Sequence, residues 1–136
     1  MEDISLHIMD IIENSIRAVA KNIELRMIEK DKVLTLEIID DGIGMSEETK
    51  KKALDPFFSS KKNKKFGLGL SLLSQSSEEA GGNLKIESEV GKGTKITATF
   101  KSDHIDRKPL GDIGTTLKCL ILAHPEINFS FDHVNI

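Results

Sequence analysis

The chain has 136 residues, enough for one domain with a single sizeable hydrophobic core. Apolar residues make up 38% and charged residues 30% of the sequence, and the formal net charge is −3. This balance argues against a dedicated binder of nucleic acid or of anionic membranes. The single cysteine excludes an internal disulfide, and no apolar run approaches the ~20 residues that a membrane-spanning helix needs. The acidic N-terminus does not resemble a signal peptide, so we expect a cytoplasmic protein.

The spacing of apolar residues predicts four elements in the first half of the chain. Apolar spacings of three and four residues indicate a helix, and alternation indicates a strand. These patterns predict a helix over 4–20, strands over 23–29 and 33–39, and a short helix over 46–54. A polar turn separates the two strands, so we expect them to form a hairpin.

The second half of the chain predicts five further elements. They are a helix over 67–80, strands over 83–89 and 94–100, a helix over 113–123 and a strand over 127–131. The segment Val90-Gly91-Lys92-Gly93 is typical of a hairpin turn. We interpret residues 1–100 as the main unit and 101–136 as a C-terminal extension packed on the same domain. Cys119 has apolar neighbours and is expected to be buried and inert.

A first candidate site follows the second predicted strand, where the sequence reads Asp40-x-Gly42-x-Gly44. A carboxylate at a strand end can accept a hydrogen bond from the exocyclic amine of adenine. Nearby glycines let the backbone approach a base and a sugar closely. Taken alone, the same pattern is equally well explained as an Asp-Gly turn without a ligand, and Asp41 is interpreted as a solvent-facing or turn residue.

The first predicted helix carries a second candidate group. Asp10, Asn14 and Arg17 are spaced by four and three residues, so they share one helix face. An asparagine oxygen can bind Mg²⁺, and an arginine can bind a terminal phosphate. Asp10 could orient or deprotonate a nucleophile. A solvated polar face with incidental spacing is the alternative for this helix taken alone.

A third candidate group opens the helix predicted at 67–80. Gly67-Leu68-Gly69-Leu70 would present free N–H groups and the positive end of the helix dipole to an anion. A flexible loop followed by a helix is the alternative for this segment. Lysines at 61, 62, 64 and 65 precede it and resemble a cationic lid. A solvated basic loop is the alternative for these lysines, and it is favoured for Lys64 and Lys65. Neither the P-loop pattern nor the Rossmann glycine pattern is present.

The order of these motifs is more specific than any one of them. Glu13-Asn14-Ser15 is followed by DDGIGM, DPFFSSKK, GLGLSL and, before a strand, GKGT. This order resembles the GHKL superfamily of gyrase-type ATPases, ninety-kilodalton heat-shock chaperones, sensor histidine kinases and mismatch-repair ATPases. The resemblance covers about residues 4–100. It implies an α+β fold, a two-layer α/β sandwich of the Bergerat type with helices over a mixed, mostly antiparallel sheet.

The resemblance also implies Mg²⁺–ATP as the ligand and a role for each matched residue. Asn14 matches the Mg²⁺-binding asparagine, and Asp40 matches the adenine-binding aspartate. Thr94 matches the threonine that helps to hold the adenine carboxylate and a water. The adenine-side turn takes Gly42, Gly44 and Met45, and the phosphate-side helix start takes Gly67, Leu68, Gly69 and Leu70.

Within the superfamily, two features resemble the histidine-kinase branch. Arg17 stands where the kinases typically carry a basic residue, and Lys61 matches a basic lid residue that can reach phosphate. Only three residues precede the first helix, so we expect no phosphoacceptor domain in this chain, and His7 is a poor acceptor. Asp10 is one methylene shorter than the glutamate that related ATPases use as a base.

The resemblance therefore predicts a protein kinase that acts on a separate protein partner or phosphoacceptor. An anti-sigma-like serine kinase and an ATP-sensing regulator without phosphotransfer are the alternatives. A homodimer is compatible with the resemblance, and neither nucleic acid nor membrane is expected as a partner.

Overall fold

A computed structural model of the chain describes residues 4–55, 69–101 and 112–135. Their four helices are α1 (Ile4–Arg17), α2 (Glu47–Leu54), α3 (Gly69–Glu79) and α4 (Ile113–Ala123). Their five strands are β1 (Asn22–Lys30), β2 (Val33–Asp40), β3 (Leu84–Glu89), β4 (Gly93–Lys101) and β5 (Asn128–Asn135). The strands form one sheet in the order β3-β4-β2-β1-β5. Only the β1–β5 pair is parallel among these strands, which confirms the predicted α+β fold with a mixed, mostly antiparallel sheet.

The hydrophobic core lies between one face of the sheet and the helices. The inward side chains alternate along the strands, as a half-buried sheet requires, and those of α1 recur at helical spacing. Fully buried members include Ile4, Ile8, Ile11 and Ile12 on α1, and Ile23, Leu25, Leu34, Leu36, Ile38 and Phe100 on the strands. Each such side chain contributes roughly 1.5–3 kcal/mol on burial, so the packing of α1 on the sheet holds the domain together.

The first helix ends earlier than predicted, at Arg17 rather than at residue 20. The N–H of Ala20 donates to the carbonyl of Ser15 at 3.1 Å, and that of Val19 donates to the carbonyl of Ile16 at 3.0 Å. These two bonds form a Schellman end, in which the residue after the cap adopts a left-handed conformation. Val19 occupies this position with φ of 63°, where glycine is the usual residue.

Val19→Gly is expected to stabilise the protein by about 1 kcal/mol. A β-branched residue is strained in the left-handed region, and glycine relieves that strain. The free energy gained exceeds the free-energy cost of the extra conformational entropy that glycine gives the unfolded chain. The Val19 side chain is 69% exposed, so little packing is lost. Urea unfolding at neutral pH measures the change. A lower midpoint for Val19→Gly would show that the valine conformation carries no net strain.

The C-terminal elements differ from the prediction in two ways. The last strand continues to Asn135 instead of ending at residue 131, because it pairs with β1 along its whole length. The prediction that Cys119 is buried is wrong, because this side chain is exposed. Helix α4 buries Ile113, Leu117 and Leu120, which recur at helical spacing, and Cys119 lies outside that stripe. None of the helices in the described part of the chain is long and apolar enough to span a bilayer.

Candidate nucleotide-binding site

A cavity of about 280 Å³ opens between α1, the end of β2 and the turn that follows it. Its wall is mostly apolar, with a few polar groups on one side, as is usual for a small-molecule site. The lining residues that bear on function are Asn14, Ser15, Arg17, Asp40, Gly44, Met45, Leu70 and Thr94. The cavity therefore brings together members of all three groups that the sequence singled out.

Asp40 is the carboxylate inside this cavity. One of its oxygens, Oδ2, accepts a hydrogen bond from the Ser15 hydroxyl at 2.6 Å, and Oδ1 accepts from the Gly42 N–H at 2.9 Å. The strand register places Thr94 of β4 directly opposite Asp40. Two donors thus hold the carboxylate in one orientation, and each oxygen keeps a further lone pair for a ligand.

The turn after Asp40 lies tightly against the β3–β4 hairpin. Gly44 has φ of 75°, and a Cβ atom there would lie 2.0 Å from the carbonyl oxygen of Glu89. On either side of it, the carbonyl of Ile43 accepts from the Gly91 N–H at 2.7 Å, and the Met45 N–H donates to the Ser88 hydroxyl at 2.8 Å. Glycine is therefore required here both for its conformation and for the close approach of the two backbones.

Two residues that the sequence did not single out as site residues support this end of the cavity. Ser15 holds Asp40 as described, and Ser88 holds the glycine turn through Met45. The Ser88 hydroxyl also lies 2.8 Å from the Thr94 hydroxyl and donates to the Gly93 carbonyl at 2.8 Å. Ser15 could have been identified from the sequence by its place directly after Asn14. Ser88 could have been identified from its position opposite Thr94 in the hairpin.

Some polar residues of α1 line the cavity, and another lies against helix α3. Asn14 and Arg17 both line the cavity, and Arg17 Nη2 donates to Asn14 Oδ1 at 3.2 Å. Asp10 is exposed and is not among the lining residues. It lies instead against the start of α3, where a Cβ on Gly69 would come within 2.3 Å of the Asp10 Cβ. The predicted catalytic carboxylate is thus near the site but outside the described cavity.

The predicted phosphate-side residues are only partly described. Gly69 begins α3, and Leu70 lines the cavity. Lys61, Gly67 and Leu68 lie outside the described residues.

The side chains available to coordinate a metal ion suit a metal that binds as a complex with a nucleotide. Within the described ranges, no three His, Cys, Asp or Glu side chains are grouped closely enough to hold a metal ion. Asn14 supplies one neutral oxygen, which is sufficient for Mg²⁺ because this ion keeps several waters and takes its other ligands from phosphates. The residues present therefore fit a Mg²⁺–nucleotide complex better than an ion bound on its own.

Asp41 has a different environment from Asp40. Its carboxylate accepts hydrogen bonds from the N–H groups of Lys21 and Asn22 at 2.8 and 2.9 Å, and from the Asn22 amide at 2.7 Å. These bonds tie the end of β2 to the start of β1. The bonds from Asn22, and then that from Lys21, lower the pKa of Asp41 from 3.8 to about 2. Asp41 is thus a turn residue outside the cavity.

The lowered pKa of Asp41 predicts a pH-dependent difference in stability between the wild-type protein and Asp41→Asn. The ionised form is favoured in the folded state, so its contribution is complete above pH 3.8 and is lost as the pH falls towards 2. We expect the wild-type protein to be more stable than Asp41→Asn at neutral pH and the difference to shrink in acid. Urea unfolding at several pH values measures it. A difference that stays constant down to the acid limit would contradict the assignment.

Comparison with known proteins agrees with the order of the motifs and with the fold. Residues 2–104 match the family described as histidine kinase-, DNA gyrase B- and HSP90-like ATPase. The chain belongs to this ATPase family. The predicted resemblance to the GHKL superfamily is therefore confirmed, and ATP binding is implied by the family.

Relatives within the family include kinases and an anti-sigma factor. The anti-sigma F factor of Clostridium acetobutylicum is 31% identical over 101 residues, which are 71% of this chain and 66% of that protein. Sporulation kinase C of Bacillus subtilis is 35% identical over 70% of this chain and 23% of its own length. The signal transduction histidine-protein kinase ArlS of Staphylococcus aureus is 35% identical over 65% of this chain and 21% of its own length. The chain thus spans less than a quarter of each kinase.

Proposed function

We propose that this protein binds Mg²⁺–ATP and transfers the terminal phosphoryl group to a separate protein, as a kinase of the histidine-kinase type. The observation that carries the proposal is one cavity that is lined both by a fixed carboxylate, Asp40, and by Asn14 with Arg17. We assign the part at Asp40, called the Asp40 end, to a purine base. We assign the part at Asn14 and Arg17, called the α1 end, to a metal-bound phosphate chain.

The Asp40 end favours adenine over guanine. The carboxylate of Asp40 can only accept hydrogen bonds, and adenine presents an amine at the position where guanine presents a carbonyl oxygen. The hydrogen bonds from Ser15 and Gly42 orient the carboxylate before the ligand arrives. The close packing of the glycine turn on the hairpin gives the base a rigid edge. This end therefore sets which nucleotide binds.

The α1 end holds the phosphates. The Asn14 oxygen, which accepts a hydrogen bond from Arg17 in this structure, would hold the metal, and the Arg17 guanidinium would bind a phosphate oxygen. When bound, Mg²⁺ neutralises part of the phosphate charge and makes the terminal phosphorus a better electrophile. Asp10, at the junction of α1 and α3, is the proposed group that orients or deprotonates the attacking side chain.

Asn14→Ala is expected to remove most of the Mg²⁺-dependent part of ATP affinity. Loss of a group that merely supports a metal ligand typically costs roughly 10–100-fold in affinity, and loss of the ligand itself should cost at least as much. Calorimetric titration of ATP with and without Mg²⁺ measures the effect. Adenosine is the internal control, because its affinity depends on the other end of the cavity and should not change. An unchanged Mg²⁺ dependence would show that Asn14 is not the metal ligand.

Phosphoryl transfer is tested with γ-labelled ATP and proteins that co-purify with the tagged chain. A phosphohistidine is lost in acid and survives alkali, so the stability of the label identifies the acceptor. We expect an acid-labile label on a partner, and its loss with Asp10→Asn while ATP binding persists. If no partner is labelled although ATP binds, the proposed kinase activity is wrong.

An anti-sigma-like serine kinase is the second candidate. It is favoured by the match to the anti-sigma F factor, which is the relative named above whose own length is most completely covered. An acid-stable label on serine, or recovery of a sigma factor with the tagged chain, would support it over the first candidate.

A third candidate is an ATP sensor that performs no phosphotransfer. Asp10, the proposed base, is not among the residues that line the cavity, and this favours a sensor. Its signature is ATP binding without turnover, with a partner affinity that differs between ATP and ADP. Rapid ATP hydrolysis would contradict it.

A further inference from the structure

The two edges of the sheet differ in chemistry. Strand β3 exposes Lys85, Glu87 and Glu89, and charged side chains of this kind protect an edge from pairing with another strand. Strand β5, with the sequence NFSFDHVN, has no lysine, arginine or proline. Phe131 and Val134 on it are 42% and 39% exposed. Along the described parts of the chain, no strand pairs with the outer side of β5.

The backbone of β5 offers a regular set of hydrogen-bonding groups at this edge. The N–H of Asn128 donates to the carbonyl of Lys21 at 2.9 Å, so this residue faces β1. In a parallel ladder alternate residues bond to the same neighbouring strand. The residues between them turn their N–H and C=O groups outwards, and these are Phe129, Phe131, His133 and Asn135. The edge therefore presents both donors and acceptors at every second residue.

The helix that leads into β5 is also unusually apolar on its exposed side. Lys118 is the only charged residue of α4. Ile121 and Leu122 in its last turn are 46% and 82% exposed. A helix that is apolar on more than one face is typically covered by another element. The exposed apolar side chains of α4 and β5 thus occur within one continuous stretch of chain, 113–135.

We propose that β5 is the interface for a second copy of this chain, paired antiparallel about a two-fold axis at Phe131. A two-fold axis perpendicular to the sheet keeps the helices of both copies on one side and makes one continuous sheet. The axis at Phe131 places Phe131 opposite Phe131 of the second copy, and Phe129 opposite His133 of the second copy. All of these have outward backbone groups, as a hydrogen-bonded antiparallel pair requires.

The side chains favour this register over its neighbour. Moving the axis by one residue, to Asp132, would place two aspartates directly opposite each other, and like charges in that position are destabilising. The axis at Phe131 instead places Asp132 opposite Ser130 of the second copy and brings two aromatic rings together, which is favourable. No cavity-lining residue lies on α4 or β5, so the dimer leaves the nucleotide site open.

The oligomeric state of the full chain tests this interface. We expect sedimentation velocity over a wide concentration range to show a dimer. Phe131→Lys should weaken self-association at least tenfold, because it brings two positive charges together at the axis. His133→Pro should also weaken it, because proline removes an outward N–H and spares the bonds to β1. Glu87→Lys, on the β3 edge, is the matched control and should leave the dimer unchanged.

Cross-linking tests the register. With Cys119→Ser as background, Phe131→Cys should form a disulfide-linked dimer, since Cα atoms of such a pair lie about 5.5 Å apart. Asp132→Cys in the same background is the control and should not cross-link efficiently. A monomer at every concentration would overturn the proposal and would fit an edge covered by another part of the same chain. A dimer that neither Phe131→Lys nor His133→Pro weakens, or that cross-links only through Asp132→Cys, would overturn it as well.

Discussion

Asp40→Asn is expected to weaken ATP binding by about 100-fold while the fold is retained. That factor corresponds to about 2.7 kcal/mol, within the usual range for a hydrogen bond to a charged group. The asparagine keeps its oxygen towards the Gly42 N–H, so its NH₂ group takes the place of the oxygen beside Ser15. An adenine amine would then face a donor instead of an acceptor. Titration with ATP measures the affinity, and thermal unfolding checks the fold.

Asp41→Asn is the matched control for this substitution. It makes the same chemical change one residue along the chain, at a carboxylate that binds Lys21 and Asn22 outside the cavity. Its ATP affinity should stay within about twofold of the wild-type value. GTP binding should be less affected than ATP binding by Asp40→Asn, because guanine presents an acceptor at that position. Equal losses of ATP affinity in the two variants would show that Asp40 does not contact the base.

Gly44→Ala is expected to have the largest effect on stability, roughly 3 kcal/mol, together with a loss of ATP binding. The added Cβ would lie 2.0 Å from the Glu89 carbonyl oxygen and 2.8 Å from its carbon, both of which belong to the backbone. A rigid neighbour of this kind cannot move aside, so the glycine turn must leave the hairpin. The hydrogen bonds at Ile43 and Met45 would then be broken. Denaturant unfolding and ATP titration measure the two consequences.

Gly91→Ala separates the steric part of this effect from the conformational part. Gly91 also has a positive φ, 86°, but a Cβ there would meet no atom within 4 Å. Its substitution should cost only about 1 kcal/mol, the penalty for a left-handed residue with a side chain, and ATP binding should persist. If the two alanine variants were equally stable, the close approach of Gly44 to the hairpin would not be a constraint on the fold.

The local elements were largely predictable because their signals lie in neighbouring residues. The isoleucines of α1 recur at helical spacing, and both antiparallel hairpins, β1–β2 and β3–β4, join residues that are close in sequence. The end of α1 was not predictable, because Val19 is a residue type that rarely adopts the left-handed conformation. The exposure of Cys119 was predicted wrongly, because apolar neighbours in sequence lie on different faces of a helix.

The sequence by itself determined the family, through the order of its motifs, and the helix and strand periodicities that form its layers. It also indicated Asp40 rather than Asp41 as the cavity residue, because alternation along a strand sends successive side chains to opposite faces. Only the tertiary structure decided that Ser15 holds Asp40, that Ser88 holds the glycine turn and that β5 lies parallel to β1. These contacts join residues far apart in the chain, and no local pattern encodes which distant groups meet when the core closes.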